Sequence, residues 1–264
     1  MEKDDLCIIF ANTMLNTNNQ NNFYYGYNRD KTRLGNRGTM EDDTIRKTLG
    51  KQSQGDGVYQ TIKAGNKSGN AGCDSFEERA LSFTKQIEQA AKDNNVWFEN
   101  AVFSLTDGVM IGKGGEAQVY KSNDDIKAIK IFSLIYMVDS EDLIYKIAAN
   151  NQLFPETRYH IIGFTRDEKN EVSAILEQPF VQTKVRASQD VIDKYVQSIG
   201  FERIEDTIVI SGSTIKTVTY QNSEFRISDA VVKDTGDNVL VDENGTLYFI
   251  DPFIVPAKVW SENV

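Results

Sequence analysis

Ile111-Gly112-Lys113-Gly114-Gly115-Glu116-Ala117-Gln118-Val119-Tyr120, followed by Ala128-Ile129-Lys130, decides the reading of this chain. Val109–Ile111 and Gln118–Tyr120 read as the two arms of a hairpin around a glycine-rich tip. Glycines there let backbone N–H groups approach phosphate oxygens with no side chain in the way, and they tolerate positive φ at the turn. Ser122-Asn123-Asp124-Asp125 is a turn signal, so Ile126–Phe132 forms the next strand. Side chains alternate across a strand, so Ala128 and Lys130 share one face while Lys127 takes the other and is a solvated surface residue. If small Ala128 lies beneath a nucleotide base, Lys130 is the lysine that meets the phosphates. The positions expected to contact a nucleotide are Gly112, Gly114, Gly115, Ala117, Val119, Ala128 and Lys130.

A second element lies near the end of the sequence. Asn238–Val241 and Thr246–Ile250 are apolar strands separated by Asn244-Gly245, the signal for a type I′ turn. The hairpin brings Asn238 and Asp251 together at its open end. An amide oxygen beside a carboxylate makes a pair of hard oxygen ligands suited to Mg²⁺.

The bulk numbers narrow the field. The chain has 264 residues, 40% of them apolar, with a net charge of −10 and a pI near 4.8. An acidic chain is a poor partner for a phosphate backbone, which disfavours nucleic-acid binding. Two cysteines, Cys7 and Cys73, and a single histidine, His160, nearly exclude a thiolate or imidazole zinc site. No apolar run approaches the roughly 20 residues of a membrane helix. The acidic N-terminus is unlike a secretory signal. A soluble, cytoplasmic protein is expected.

Residues 1–73 read as a flexible polar segment, because stretches such as 16–22 and 52–72 hold too few apolar side chains to offset ordering entropy. Within it, Phe23-Tyr24-Tyr25-Gly26-Tyr27, flanked by Arg29, Lys31, Arg33 and Arg37, could dock a partner or stack on RNA. The simpler reading is an incidental aromatic cluster. Ser75 and Glu78 form a capping box, and Phe76, Ala80, Phe83, Ile87 and Ala90 recur at helical spacing, which predicts a helix over 75–94 within a linking region 74–100. Asp139 caps a helix carrying Leu143, Ile144, Ile147 and Ala148. Strands at 159–165 and 172–176 follow, joined by a polar turn at 166–170. A helix opened by Ser188 and closed by Gly200 comes next. Strands at 207–210 and 215–220 precede the final hairpin.

Residues 103–251 resemble the serine/threonine/tyrosine kinase-like domains of bacterial polyvalent proteins, which belong to phages and other mobile genetic elements. The resemblance rests on Ile111–Tyr120, Asn151–Thr157 (NQLFPET), Ile162-Gly163-Phe164 and Leu176–Val181 (LEQPFV). It is completed by Gly200-Phe201, Ile227-Ser228-Asp229, Asn238–Leu240 and Leu247–Pro252 (LYFIDP). It implies an α+β, minimal bilobal protein-kinase-like fold over 101–264, with a glycine-loop lobe at about 101–182 and a metal-loop lobe at about 183–264. With only 13 residues after Asp251, the C-terminal lobe would be truncated.

The implied activity is an ATP- and Mg²⁺-dependent phosphotransfer to an acceptor the sequence does not name. The alternative is a pseudokinase that binds nucleotide or serves as an interaction module. By resemblance, Glu177 and Gln178 belong to the hinge that meets adenine through backbone groups. Asp229 is the counterpart of the catalytic aspartate, although it precedes Asn238 by nine residues where five is usual. Lys233 occupies that usual position, and Asp234 is the other available carboxylate. Glu141 is available as the acidic partner of Lys130. Asp251-Pro252-Phe253 stands where kinases carry Asp-Phe-Gly, and proline fixes φ there.

Overall fold

The computed structural model describes residues 55–66, 75–114, 116–210, 213–232 and 235–257. The elements run α1 (Gly55–Asn66), α2 (Phe76–Asp93), α3 (Ala101–Leu105), β1 (Thr106–Lys113), β2 (Ala117–Ser122), β3 (Lys127–Ser133) and α4 (Ser140–Leu153). A 3₁₀ turn (Pro155–Thr157), β4 (His160–Arg166), β5 (Val172–Pro179), β6 (Arg186–Ser188) and α5 (Gln189–Ser198) follow. The chain then continues as β7 (Glu202–Ile210), β8 (Ser213–Gln221), β9 (Phe225–Val232), β10 (Thr235–Val241), β11 (Leu247–Phe249) and β12 (Phe253–Pro256). Helices and antiparallel sheets make this an α+β chain. No helix among the described residues is long and apolar enough to cross a membrane.

Two compact units result. The first contains the described residues up to Ala148 together with Tyr159–Phe180, and the second contains Ala149–Arg158 and the described residues from Val181 onward.

In the first unit, five antiparallel strands are ordered β1-β2-β3-β5-β4. One sheet face carries Phe132, Ala174 and Leu176, which pack with Phe83 and Ile87 of α2 and Leu143, Ile144 and Ile147 of α4. The opposite face holds a smaller cluster of Tyr120, Ile129, Ile131 and Ile175 beneath Ala101 of α3. Helix α2 starts as its sequence dictates: Ser75 Oγ accepts from the Glu78 N–H at 3.1 Å, and the Glu78 carboxylate accepts from the Ser75 N–H at 3.3 Å. Asp139 caps α4 by accepting from the Asp142 N–H at 3.2 Å.

Gly55–Asn66 corrects the expectation of a flexible polar segment at this point. It is helical, and its Val58, Tyr59 and Ile62 are buried in the same core as α2 and α4. Three apolar side chains are too few to stabilise an isolated helix. They suffice once α2 and α4 supply the surface they cover. The aromatic–basic stretch at 23–37 lies outside the described residues.

The second unit is built on a seven-stranded antiparallel sheet with the path β11-β10-β9-β8-β7, to which β12 and β6 add through β9 and β10. Helix α5 contributes buried Ile192 and Val196, and Gly200 ends it with φ +89°, the left-handed conformation glycine adopts freely. Strand β9 was not foreseen from the sequence. It pairs with β8 on one side and with β12 on the other, through Ser228↔Phe253 and Ile227↔Ile254.

The last hairpin also differs from expectation. The Gly245 N–H donates to the Asp242 carbonyl, the Asp242 N–H donates to the Thr246 carbonyl, and Gly245 alone in the turn has positive φ, at +83°. This is a three-residue loop, a tight turn followed by a left-handed glycine, rather than a two-residue type I′ turn. Asp242 selects it, because its carboxylate accepts from the N–H groups of Asn244 and Thr246 at 2.9 and 2.8 Å.

Candidate nucleotide and metal site

Strand register brings the first group of candidate residues into line. Gly112 stands opposite Val119, Val119 opposite Lys130, and Lys130 opposite Leu176, forming one row across four strands. The next row joins Lys121, Ala128 and Gln178. With side chains alternating along each strand, Val119, Ala128, Lys130 and Gln178 all project from one face. Lys130 is 1% exposed. Its Nζ lies 3.4 Å from the Tyr159 hydroxyl and 5.3 Å from that ring's centroid.

Parity holds for the alternative lysine as well. Lys127 points to the other face and pairs with Glu177 at 2.7 Å, and the Glu177 hydrogen bond raises its ammonium above the ordinary lysine range. The Glu177 side chain is thereby committed to the face away from Lys130. Glu177 could serve a ligand on the Lys130 face only through its backbone.

The glycine-rich tip is held on both flanks. The Gly114 N–H donates to the Ala117 carbonyl at 2.8 Å, and the Ser133 N–H donates to the Glu116 carbonyl at 2.8 Å. The Glu116 carboxylate pairs with Lys146 of α4 at 3.2 Å, and Lys113 pairs with Glu168 in the β4–β5 turn. A Cβ placed on Gly112 would come no closer than 3.7 Å to Val119, and one on Gly114 no closer than 3.9 Å to the Ala117 carbonyl. The protein's own packing therefore does not demand glycine at either position. Gly163 is the contrast: a Cβ there would sit 2.6 Å from the Phe98 ring and the Val96 carbonyl.

The two residues expected to hold a metal, Asn238 and Asp251, lie in the second unit. The Ile250 N–H donates to the Asn238 carbonyl at 2.9 Å, continuing the ladder that pairs Val239 with Phe249. Asn238 and Asp251 are consequently neighbours at the open end of the hairpin, and both are half-buried. The strand leading to Asp251 is well anchored. Phe249 stacks on Phe154 with centroids 3.9 Å apart, and its carbonyl accepts from the Thr157 hydroxyl at 2.7 Å. Among the described residues there is no cluster of three or more His, Cys, Asp or Glu side chains able to cage a metal. One carboxylate and one amide oxygen fit a Mg²⁺ that keeps waters and takes its remaining ligands from phosphates.

The family model of serine/threonine/tyrosine kinases found in polyvalent proteins matches residues 82–256. The chain belongs to that family. No curated protein and no solved structure gives a match. The kinase match takes in every strand of both units and begins inside α2, so α1 lies outside it.

Two candidate positions of this kinase-like domain, Gly115 and Asp234, lie outside the described residues. Asp229 lies inside strand β9, between the residues that pair with β8 and β12, rather than in a loop. Glu141 occupies the first turn of α4. Tyr159 was missed from the sequence: it meets Lys130 across 29 residues of chain, and no local pattern announces such a contact. Lys146, which ties α4 to the glycine loop, was missed for the same reason.

Proposed function

We propose that the chain is an ATP- and Mg²⁺-dependent phosphotransferase of a polyvalent protein from a mobile genetic element, with a minimal bilobal kinase-like fold, working in the cytoplasm on an alcohol acceptor. The observation that carries the reading is the row Gly112–Val119–Lys130, in which a glycine that the protein's own packing does not require and a buried lysine stand in line across the sheet. Backbone N–H groups of the loop would cover the phosphates, and the Lys130 ammonium would neutralise α/β-phosphate charge. Asn238 and Asp251 would hold Mg²⁺, which supplies charge neutralisation at the phosphate oxygens.

In the transfer, the bond from the γ-phosphorus to the β,γ-bridging oxygen breaks as a bond to the acceptor oxygen forms. ADP leaves, and the acceptor hydroxyl proton passes to Asp229. Rate enhancement would come from positioning and fixed charge. The test is transfer from γ-labelled ATP, with thermal shift on ATP with and without Mg²⁺. Lys130→Ala and Asp251→Ala should each abolish transfer, and transfer surviving in either variant removes the assignment.

One observation favours a second reading, the pseudokinase. Asp229 lies within strand β9, in the stretch between Ser228, the last residue paired with β12, and Val231, where pairing with β8 resumes, whereas a kinase carries its catalytic aspartate in a loop. Mg²⁺-dependent ATP binding without transfer to any alcohol acceptor would select this reading.

A further inference from the structure

Strand β11 has three residues and ends the path of its sheet, with β10 on one side only. The Ile250 N–H donates inward, to the Asn238 carbonyl. Backbone groups along an antiparallel strand turn alternately toward and away from the partner, so the carbonyl of Phe249 faces outward. Phe249 is 1% exposed, and a carbonyl buried on the open side of a strand is costly unless a donor reaches it. The Thr157 hydroxyl does so, at 2.7 Å and from 92 residues away in the chain. The same hydroxyl lies 3.3 Å from the Phe154 carbonyl of its own turn, so the shorter contact decides where its hydrogen points. Thr157 is fully buried and is held in turn by Asn150, also buried, whose side-chain amide donates to the Thr157 carbonyl at 3.1 Å. The turn at 155–157 thus takes the place of a neighbouring strand. Two backbone bonds, one on each side, fix the two residues that lead directly into Asp251.

We infer that Thr157 is a positioning residue for the metal: its hydroxyl, through the Phe249 carbonyl, sets where the Asp251 carboxylate stands beside Asn238. This role rests on the Mg²⁺ reading above and adds to it a residue that is not itself a ligand. Groups that orient a metal ligand from behind govern affinity nearly as the ligand does. Here the hydroxyl, and not the bulk of the side chain, is the part that matters.

The test is titration of Mg²⁺ into the full chain at fixed ATP, well below the melting temperature of every variant. Thr157→Val keeps the shape of the side chain and removes the donor. It is expected to weaken Mg²⁺ binding about tenfold, the lower end of what losing such support costs a metal site. Thr157→Ser keeps the hydroxyl and is expected to stay within about twofold of wild type, although a buried methyl group is lost. A Thr157→Val protein that melts lower yet binds Mg²⁺ as wild type does would make Thr157 purely structural and overturn the inference, while the Mg²⁺ reading stands. An equal loss in Thr157→Ser and Thr157→Val has the same consequence, because packing and not the hydroxyl would then be responsible. Should Thr157→Val fail to fold, Thr157→Cys carries the same comparison, since its S–H is only a weak donor. Absence of Mg²⁺-dependent ATP binding in the wild type removes both the role of Thr157 and the reading beneath it.

Discussion

Asn238 and Ile250 are joined by a backbone hydrogen bond of 2.9 Å, and this one ladder position is what makes Asn238 and Asp251 neighbours. The relation is independent of the side chains it presents. Asp251→Ala and Asn238→Ala should therefore keep this backbone hydrogen bond while removing the proposed ligand oxygens. The expected outcome is loss of the Mg²⁺-dependent part of ATP stabilisation in Asp251→Ala, and a smaller loss, about tenfold in Mg²⁺ affinity, in Asn238→Ala, as one neutral ligand among several is removed. Thermal shift against Mg²⁺ concentration at fixed ATP reads both.

Gly114 and Gly163 should respond in opposite ways to the same added methyl group. At Gly114 the nearest atom to a new Cβ is 3.9 Å away, so Gly114→Ala should change urea stability by no more than about 0.5 kcal/mol while weakening ATP binding. At Gly163 the new carbon would lie 2.6 Å from a backbone oxygen and a ring, so Gly163→Ala should cost about 1–3 kcal/mol. Equal costs at the two positions would show that Gly114 is held by packing after all.

The capping box of α2 is reciprocal, with Ser75 and Glu78 each accepting from the other's N–H. Ser75→Ala should lower stability by about 1 kcal/mol. Adding Glu78→Ala to it should cost less than the sum of the single variants, because each half of the box positions the other. A double-mutant cycle in urea checks this, and strict additivity would contradict it.

Glu88 of α2 supplies one pH-dependent contribution to stability. Burial pushes its carboxyl up, but hydrogen bonds from Lys92 and Arg166, at 2.8 and 2.6 Å, together outweigh burial and hold it below the ordinary carboxylate range. A depressed carboxyl stabilises the fold fully above its unfolded value, about 4.3, and that contribution disappears as pH falls through the lower folded value. Arg166→Ala should therefore be less stable than wild type at pH ~7, with the gap closing as pH drops below ~4. A gap of constant size across that range would place the role of Arg166 in packing instead.

What could be read in the sequence alone was what short-range physics specifies. The Ser75 cap, the strand parity that separates Lys130 from Lys127, the Asp139 cap and the left-handed Gly200 each depend on neighbours a few residues away, and all are found in the structure. The Asn238–Asp251 neighbourhood was legible too, because a tight hairpin is local, although the turn type was misread where Asp242 draws in the Asn244 and Thr246 N–H groups. Tertiary structure decided what depends on distant surface. Helix α1 exists because α2 and α4 cover Val58, Tyr59 and Ile62. Strand β9 exists because β8 and β12 lie on either side of it, which places Asp229 in a sheet. The 2.7 Å ion pair with Lys127 turns the Glu177 side chain from the Lys130 face, and Gln178 is enclosed with an unmet acceptor on that face. Burial and cross-strand pairing are properties of surfaces that meet only in the folded chain, and no window of sequence contains both sides of such a contact.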